Sequence, residues 1–259
     1  MRVSGSLDGQ PMVFAHGFGC DQTMWRLVAP AFEDRYRVVL FDHLGSGRSD
    51  LSAYDPVRHA SLQGYADDLL ALLRGLDLDD VVLVAHSVAT MMAVLASAAE
   101  PQRFSRLVLV APSPRYVDDD GYEGGFAAED VDELLDALDS NYLGWSSAMT
   151  PVIMGNPDRP ELASELENSF CRTDPTIARR FAEVTFRSDN RADLAGVVVP
   201  TLVLQCRDDA LAPESVGRLV ASSVQDGELA LLAATGHCPQ LSAPDETVAA
   251  IEAFLERRG

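Results

Sequence analysis

Short apolar runs recur along the chain, separated by amphipathic stretches and turns rich in glycine, proline and aspartate. Pro11 to Ala15, Tyr36 to Phe41, Val81 to Val84, Arg106 to Ala111, Val197 to Gln205 and Glu228 to Leu232 read as strands. Several carry apolar residues without alternation, the pattern of strands buried on both faces. Ser61 to Leu76 reads as a helix, because Leu62, Tyr65, Leu69, Leu72, Leu73 and Leu76 fall at helical spacing behind Ser61 as cap. Ala249 to Arg257 predicts a closing helix with Ile251, Phe254 and Leu255 facing inward. Strands alternating with helices imply right-handed crossovers and a mostly parallel sheet, the α/β class.

The alternation breaks between Pro112 and about Arg191. Helical patches at Ala128 to Tyr142, Glu161 to Phe170 and Thr176 to Phe186 replace the strands. They predict a helical lid laid over the active edge of the sheet, a common way to wall off a pocket. The expected organisation is a core of residues 1–112 and 195–259 with a lid of residues 113–194.

Composition narrows the partners. Lys+Arg 20 against Asp+Glu 40 gives a net charge of −20, which disfavours nucleic acid and anionic membranes. Cys20, Cys171, Cys206 and Cys238 show no paired spacing, so neither a zinc site nor a disulfide framework is expected, and no metal or cofactor. The first residues lack the apolar core of a signal peptide, so a cytoplasmic location is expected. Val81 to Ala99 is almost free of charge and admits a membrane-span reading. His86, Ser87 and Thr90 in its middle, with no basic flank, argue against a span.

The same stretch carries the chemistry. An apolar strand, the small-residue run Ala85-His86-Ser87-Val88-Ala89 and an Ala/Met/Leu-rich helix lay out a nucleophile elbow with Ser87 at its apex. Alanines replace both glycines of the usual Gly-x-Ser-x-Gly pattern. His16-Gly17-Phe18-Gly19 follows a strand end, where a loop can turn a backbone N–H toward a ligand. The N–H groups of Phe18 and Val88 are the expected oxyanion donors. Asp208 or Asp209 lies just past a later strand, and His237 just past the last one. The order Ser, Asp, His is that of a serine hydrolase on an α/β sheet, with histidine as general base. Asp42 and His43, in Asp42-His43-Leu44-Gly45-Ser46-Gly47, are expected to brace their turn.

The chain also resembles the α/β-hydrolase branch that holds the bacterial stress regulator RsbQ and the plant karrikin and strigolactone receptors. The matching pieces include His16-Gly17-Phe18-Gly19, His86-Ser87-Val88, Ser113-Pro114-Arg115-Tyr116, Gly124-Gly125-Phe126, Ser140-Asn141-Tyr142, Phe186-Arg187-Ser188-Asp189 and Gly236-His237-Cys238-Pro239-Gln240-Leu241-Ser242. The resemblance implies an α/β-hydrolase fold with a four-helix lid and a triad of Ser87, His237 and Asp209. It implies a pocket wall of Tyr116, Phe126, Leu134, Met149, Leu166 and Phe186, with Met149 and Leu166 where the plant receptors carry phenylalanine. Ala85 departs from the family's elbow glycine. Two functions are expected from it. One is hydrolysis of a small apolar ester or lactone. The other is ligand sensing with slow hydrolysis, through a regulatory protein partner on the lid.

Overall fold

The computed structural model describes residues 1–258. Seven strands form one sheet: β1 (Arg2–Gly5), β2 (Gln10–Ala15), β3 (Tyr36–Leu40), β4 (Val81–His86), β5 (Phe104–Val110), β6 (Thr201–Asp208) and β7 (Gly227–Thr235), in the order β1-β3-β2-β4-β5-β6-β7. Only the β1–β3 pair is antiparallel. Both faces of the sheet are covered. Met12, Phe14, Val82, Val84, Val108 and Val110 point into one core, while Val13, Ala15, Leu83, Ala85, Leu107 and Leu109 point into the other. That is the period of two expected of strands sandwiched between helices.

Helices α1 (Leu62–Gly75) and α2 (Val88–Ala99) pack on the second of these cores. The Val81–Ala99 stretch is therefore a strand and a buried 12-residue helix. Among the described residues no helix is long and apolar enough to cross a membrane. Four helices lie between β5 and β6: α3 (Ala128–Ser140), α4 (Tyr142–Met154), α5 (Pro160–Phe170) and α6 (Pro175–Arg187). Arg187 and Arg179 on α6 pair with Asp132 and Asp139 on α3 at 2.7 and 3.0 Å. The C-terminal part adds α7 (Glu214–Ser223), α8 (Pro239–Ser242) and α9 (Pro244–Arg257).

Several sequence expectations need correction. The strand placed at Val197 to Gln205 begins at Thr201, since Pro200 has no N–H to give to the ladder, and it runs on to Asp208. The helical patch ending at Tyr142 is two helices. Asn141 accepts from the Gly144 N–H at 3.0 Å and starts α4, which the pattern did not separate. The strands at β5 and β7 are longer than read, and α9 starts at Pro244 rather than Ala249. Ser61 precedes α1 but its side chain makes no capping bond. β1 and α7 were not anticipated.

Candidate active site

Ser87 sits at the sharp turn between β4 and α2, with φ 57° and ψ −130°, a strained backbone for a residue with a side chain. Its N–H donates to Val110 O at 2.9 Å, which ties the turn to β5. Ala85 and Ala89 are fully buried, so the close passage of strand and helix accommodates their methyl groups. Gly17 has no such room. A Cβ there would lie 2.8 Å from His86 Nδ1 and 2.9 Å from Ser87 Cβ.

His237 follows β7 and brings Nε2 to 2.8 Å from Ser87 Oγ and Nδ1 to 2.8 Å from Asp209 Oδ2. A carboxylate only accepts, so Nδ1 carries the proton and Nε2 is the acceptor for the serine hydroxyl. Asp208 ends β6 exposed, whereas the Asp209 side chain is fully buried. Its Oδ1 accepts from Leu211 and Ala212 N–H at 2.8 and 3.2 Å. Burial works against the Asp209 charge. The facing imidazole, its hydrogen bond and those two N–H donors outweigh that cost and hold the carboxyl below its ordinary range.

The loop at residues 16–19 lies beside the serine. The Cys20 N–H donates to Gly17 O at 3.3 Å, closing a turn whose Gly19 has φ 69°. Val88 opens α2, where helix geometry leaves its N–H without an intrahelical acceptor. The ring of Phe18 packs against Phe170, Phe181, Trp145 and Phe186 at 5.4 to 6.4 Å between centroids, so this residue also seats the helical insertion. His16 and His43 brace the loop from behind. The His43 N–H donates to His16 Nε2 at 3.1 Å, and His43 Nε2 donates to His16 O at 3.0 Å. Asp42 accepts from the Gln22 and Arg48 N–H groups at 2.8 and 3.1 Å, holding the neighbouring turn. Burial lowers the pKa of both His16 and His43 and keeps them neutral.

The backbone of His237 is held on both sides. Its N–H donates to Ile153 O on α4 at 2.8 Å, and its carbonyl accepts from His86 Nε2 at 2.8 Å. The Cα of Gly236, at φ 89°, passes close to Gly155 at the end of α4.

A cavity of about 30 Å³ opens on Ser87 and His237. Of the residues the resemblance implied for the pocket wall, Tyr116, Met149, Leu166 and Phe186 line it. Phe126 and Leu134 do not: Phe126 meets Phe186 edge-on with centroids 6.1 Å apart, and Leu134, on α3, packs into the wider core. Trp145, Ile153, Phe170 and Leu211 complete the apolar wall and were missed, the first two because α4 was not recognised. A larger open groove of about 670 Å³ lies beside His59 and α6 and includes none of Ser87, Asp209 and His237. All four cysteines are free thiols, with Cys20 and Cys238 at the cavity edge.

The sequence pattern of the alpha/beta hydrolase family matches residues 12–250. The chain belongs to that family. Within it, the chain is similar to the Karrikin insensitive 2 receptor CA of Petunia hybrida, 37% identical over 249 residues, 96% of this chain and 92% of the relative. It is also similar to the strigolactone esterase D14 of Arabidopsis thaliana, 36% identical over 258 residues, 99% of this chain and 94% of the relative. Among solved structures, a hydrolase from Oleispira antarctica superposes with a TM-score of 0.95 at 38% identity, covering 98% of this chain and 93% of that one. These matches agree with the resemblance drawn from the motifs.

Proposed function

We propose that the protein is a serine hydrolase that cleaves a small ester or lactone through an acyl-enzyme. The observation that carries this reading is the hydrogen-bonded line from Ser87 Oγ to His237 Nε2 and from His237 Nδ1 to Asp209, each step 2.8 Å, opening on an apolar cavity. His237 takes the Ser87 proton as Oγ attacks the carbonyl carbon. Asp209 fixes the tautomer and stabilises the imidazolium. Phe18 and Val88 N–H groups receive the oxyanion, each donor worth about 3 kcal/mol in related sites. His237 returns the proton to the leaving oxygen, and water releases the acyl group. The helical insertion acts as a lid, and its closeness to Ser87 favours small apolar acyl groups. Hydrolysis of p-nitrophenyl acetate by the native chain and by Ser87→Ala tests this. Multiple turnovers that vanish in the variant are expected; equal rates overturn the assignment.

A second reading is supported by the receptor name of the petunia relative and the esterase name of the Arabidopsis one. In it the same triad hydrolyses slowly and the occupied lid presents a surface to a regulatory protein. Intact mass recorded during turnover separates the two. A single burst that leaves acylated chain favours the sensor, and sustained turnover of free chain favours the hydrolase.

A further inference from the structure

Ser87 Oγ has a second polar neighbour. The hydroxyl of Tyr116 lies 3.5 Å from it, on a side chain that is 2% exposed. Because Ser87 gives its own proton to His237 Nε2, Oγ can only accept from Tyr116, so the tyrosine is the donor. Burial pushes the phenol well above its ordinary pKa and keeps it protonated. Its position is built rather than incidental. The Tyr116 carbonyl accepts from Phe126 N–H at 3.1 Å, and the adjacent Arg115 carbonyl accepts from Tyr122 Oη at 2.6 Å. Arg115 itself is anchored to Asp189 at 2.8 Å, and the Tyr116 ring rests on Phe186 with centroids 5.1 Å apart.

The distance exceeds the ordinary O–H···O range of about 2.5–3.0 Å, so the contact is weak while Oγ is a neutral hydroxyl. It gains strength when Oγ carries charge, and only such differential contacts change a rate. We propose that Tyr116 is a catalytic residue that donates a hydrogen bond to Ser87 Oγ whenever that oxygen carries charge, in attack and in release alike. The inference rests on the serine-hydrolase reading above.

In release, water attacks the acyl carbon and passes its proton to His237 Nε2. The C–Oγ bond then breaks, its electron pair stays on Oγ, and His237 returns the proton to that oxygen. Throughout, Tyr116 keeps its own proton. Its hydrogen bond polarises the acyl ester and then stabilises the departing Oγ. In attack the same bond strengthens as Oγ gives its proton to His237 and takes on charge. Removing the hydroxyl therefore slows both half-reactions while the ring still packs, a loss in rate constants and not in KM that a packing role does not produce.

Stopped-flow release of p-nitrophenol from p-nitrophenyl acetate, with quenched intact mass, tests the proposal in wild type, Tyr116→Phe and Ser87→Ala. Tyr116→Phe is expected to acylate and to deacylate each about tenfold more slowly than wild type, the loss of one bond to a charged oxygen, with KM and melting temperature little changed. Tyr116→Leu, which also lacks the hydroxyl, should slow both phases even with a lower melting temperature. Unchanged rates in Tyr116→Phe, or a loss confined to KM or to one phase, overturns the role of Tyr116 and leaves the hydrolase reading standing. Wild type that releases no more p-nitrophenol than Ser87→Ala overturns the hydrolase reading and the Tyr116 role with it.

Discussion

The His86 imidazole donates from Nε2 to the main-chain carbonyl of His237 at 2.8 Å, joining the residue before Ser87 to its proposed base. Burial drives the His86 pKa down to about 3, so the ring holds a single proton, and the carbonyl requires that proton on Nε2. His86→Leu leaves the carbonyl without this donor. Activity should fall between about 10- and 100-fold in kcat, since small misplacements of a base are costly. KM should change little, and His86→Gln should recover part of the loss through its amide N–H. Equal kcat in wild type and His86→Leu would show that the link does not position His237.

Gly17 is a matter of space. Its hypothetical Cβ falls 2.8 Å from His86 Nδ1 and 2.9 Å from Ser87 Cβ, both closer than side chains tolerate. Gly17→Ala should push the Phe18 N–H away from the oxyanion position. The expected result is a kcat loss of about 100-fold, the effect of one missing donor, with the fold retained by circular dichroism. A kcat within twofold of wild type would remove this loop from the oxyanion site.

The cavity at Ser87 is about 30 Å³, small beside the roughly 300–1,000 Å³ of ordinary ligand pockets. Acetyl esters should react much faster than octanoyl esters. Met149 lines the cavity and is only partly buried. Met149→Ala should raise the octanoate-to-acetate ratio of kcat/KM by about tenfold, within the range for a few methylenes. An unchanged ratio would mean that this wall does not set acyl length.

Acid should destabilise the protein well before its carboxylates titrate. His86 has an ordinary pKa of 6.5 and a folded value of about 3. As pH falls below 6.5 the unfolded chain takes up a proton that the folded chain refuses, so stability is lost from 6.5 down to about 3. At pH 5 this group alone costs about 2 kcal/mol. Burial of His16 and His43 adds in the same direction. Asp209 acts in the same direction at lower pH: its depressed carboxyl contributes above the ordinary aspartate range and that stability is lost as pH falls through its lower folded value. Urea midpoints at pH 7.5, 6 and 5 should decline steadily, and less steeply in His86→Gln. A flat series would contradict the neutral buried histidines.

Much of this architecture is written locally. Val81 to Val84 read as a buried strand, and Ser87 between it and an alanine-rich segment marked the elbow even without its glycines. What escaped was information held between segments. α7 runs unbroken through Gly217, a residue that reads as a helix breaker. The structure explains it: a Cβ there would lie 2.8 Å from Gln205 Oε1, so glycine lets the helix close on β6. β1 is four residues on an exposed edge, too short for periodicity to register. Position alone does not separate Asp208 from Asp209; the resemblance points to Asp209, and at the end of β6 it is that carboxylate which turns to His237. Phe126 and Leu134 lie outside the cavity lining, while Trp145 and Phe170, which pack on Phe18 from α4 and α5, belong to it.

The bond from His237 N–H to Ile153 O couples two parts of the molecule mechanically. If α4 pivots away while the base stays, a buried N–H loses its acceptor, at a cost of about 1–3 kcal/mol. If the base follows, His237 leaves its 2.8 Å register with Ser87. On the proposed lid and triad reading, opening the cavity and separating Ser87 from its base thus become one movement. On that reading, a chain with its helices ajar carries a serine without its trigger, and the exposed hydroxyl is spared from attacking whatever drifts in.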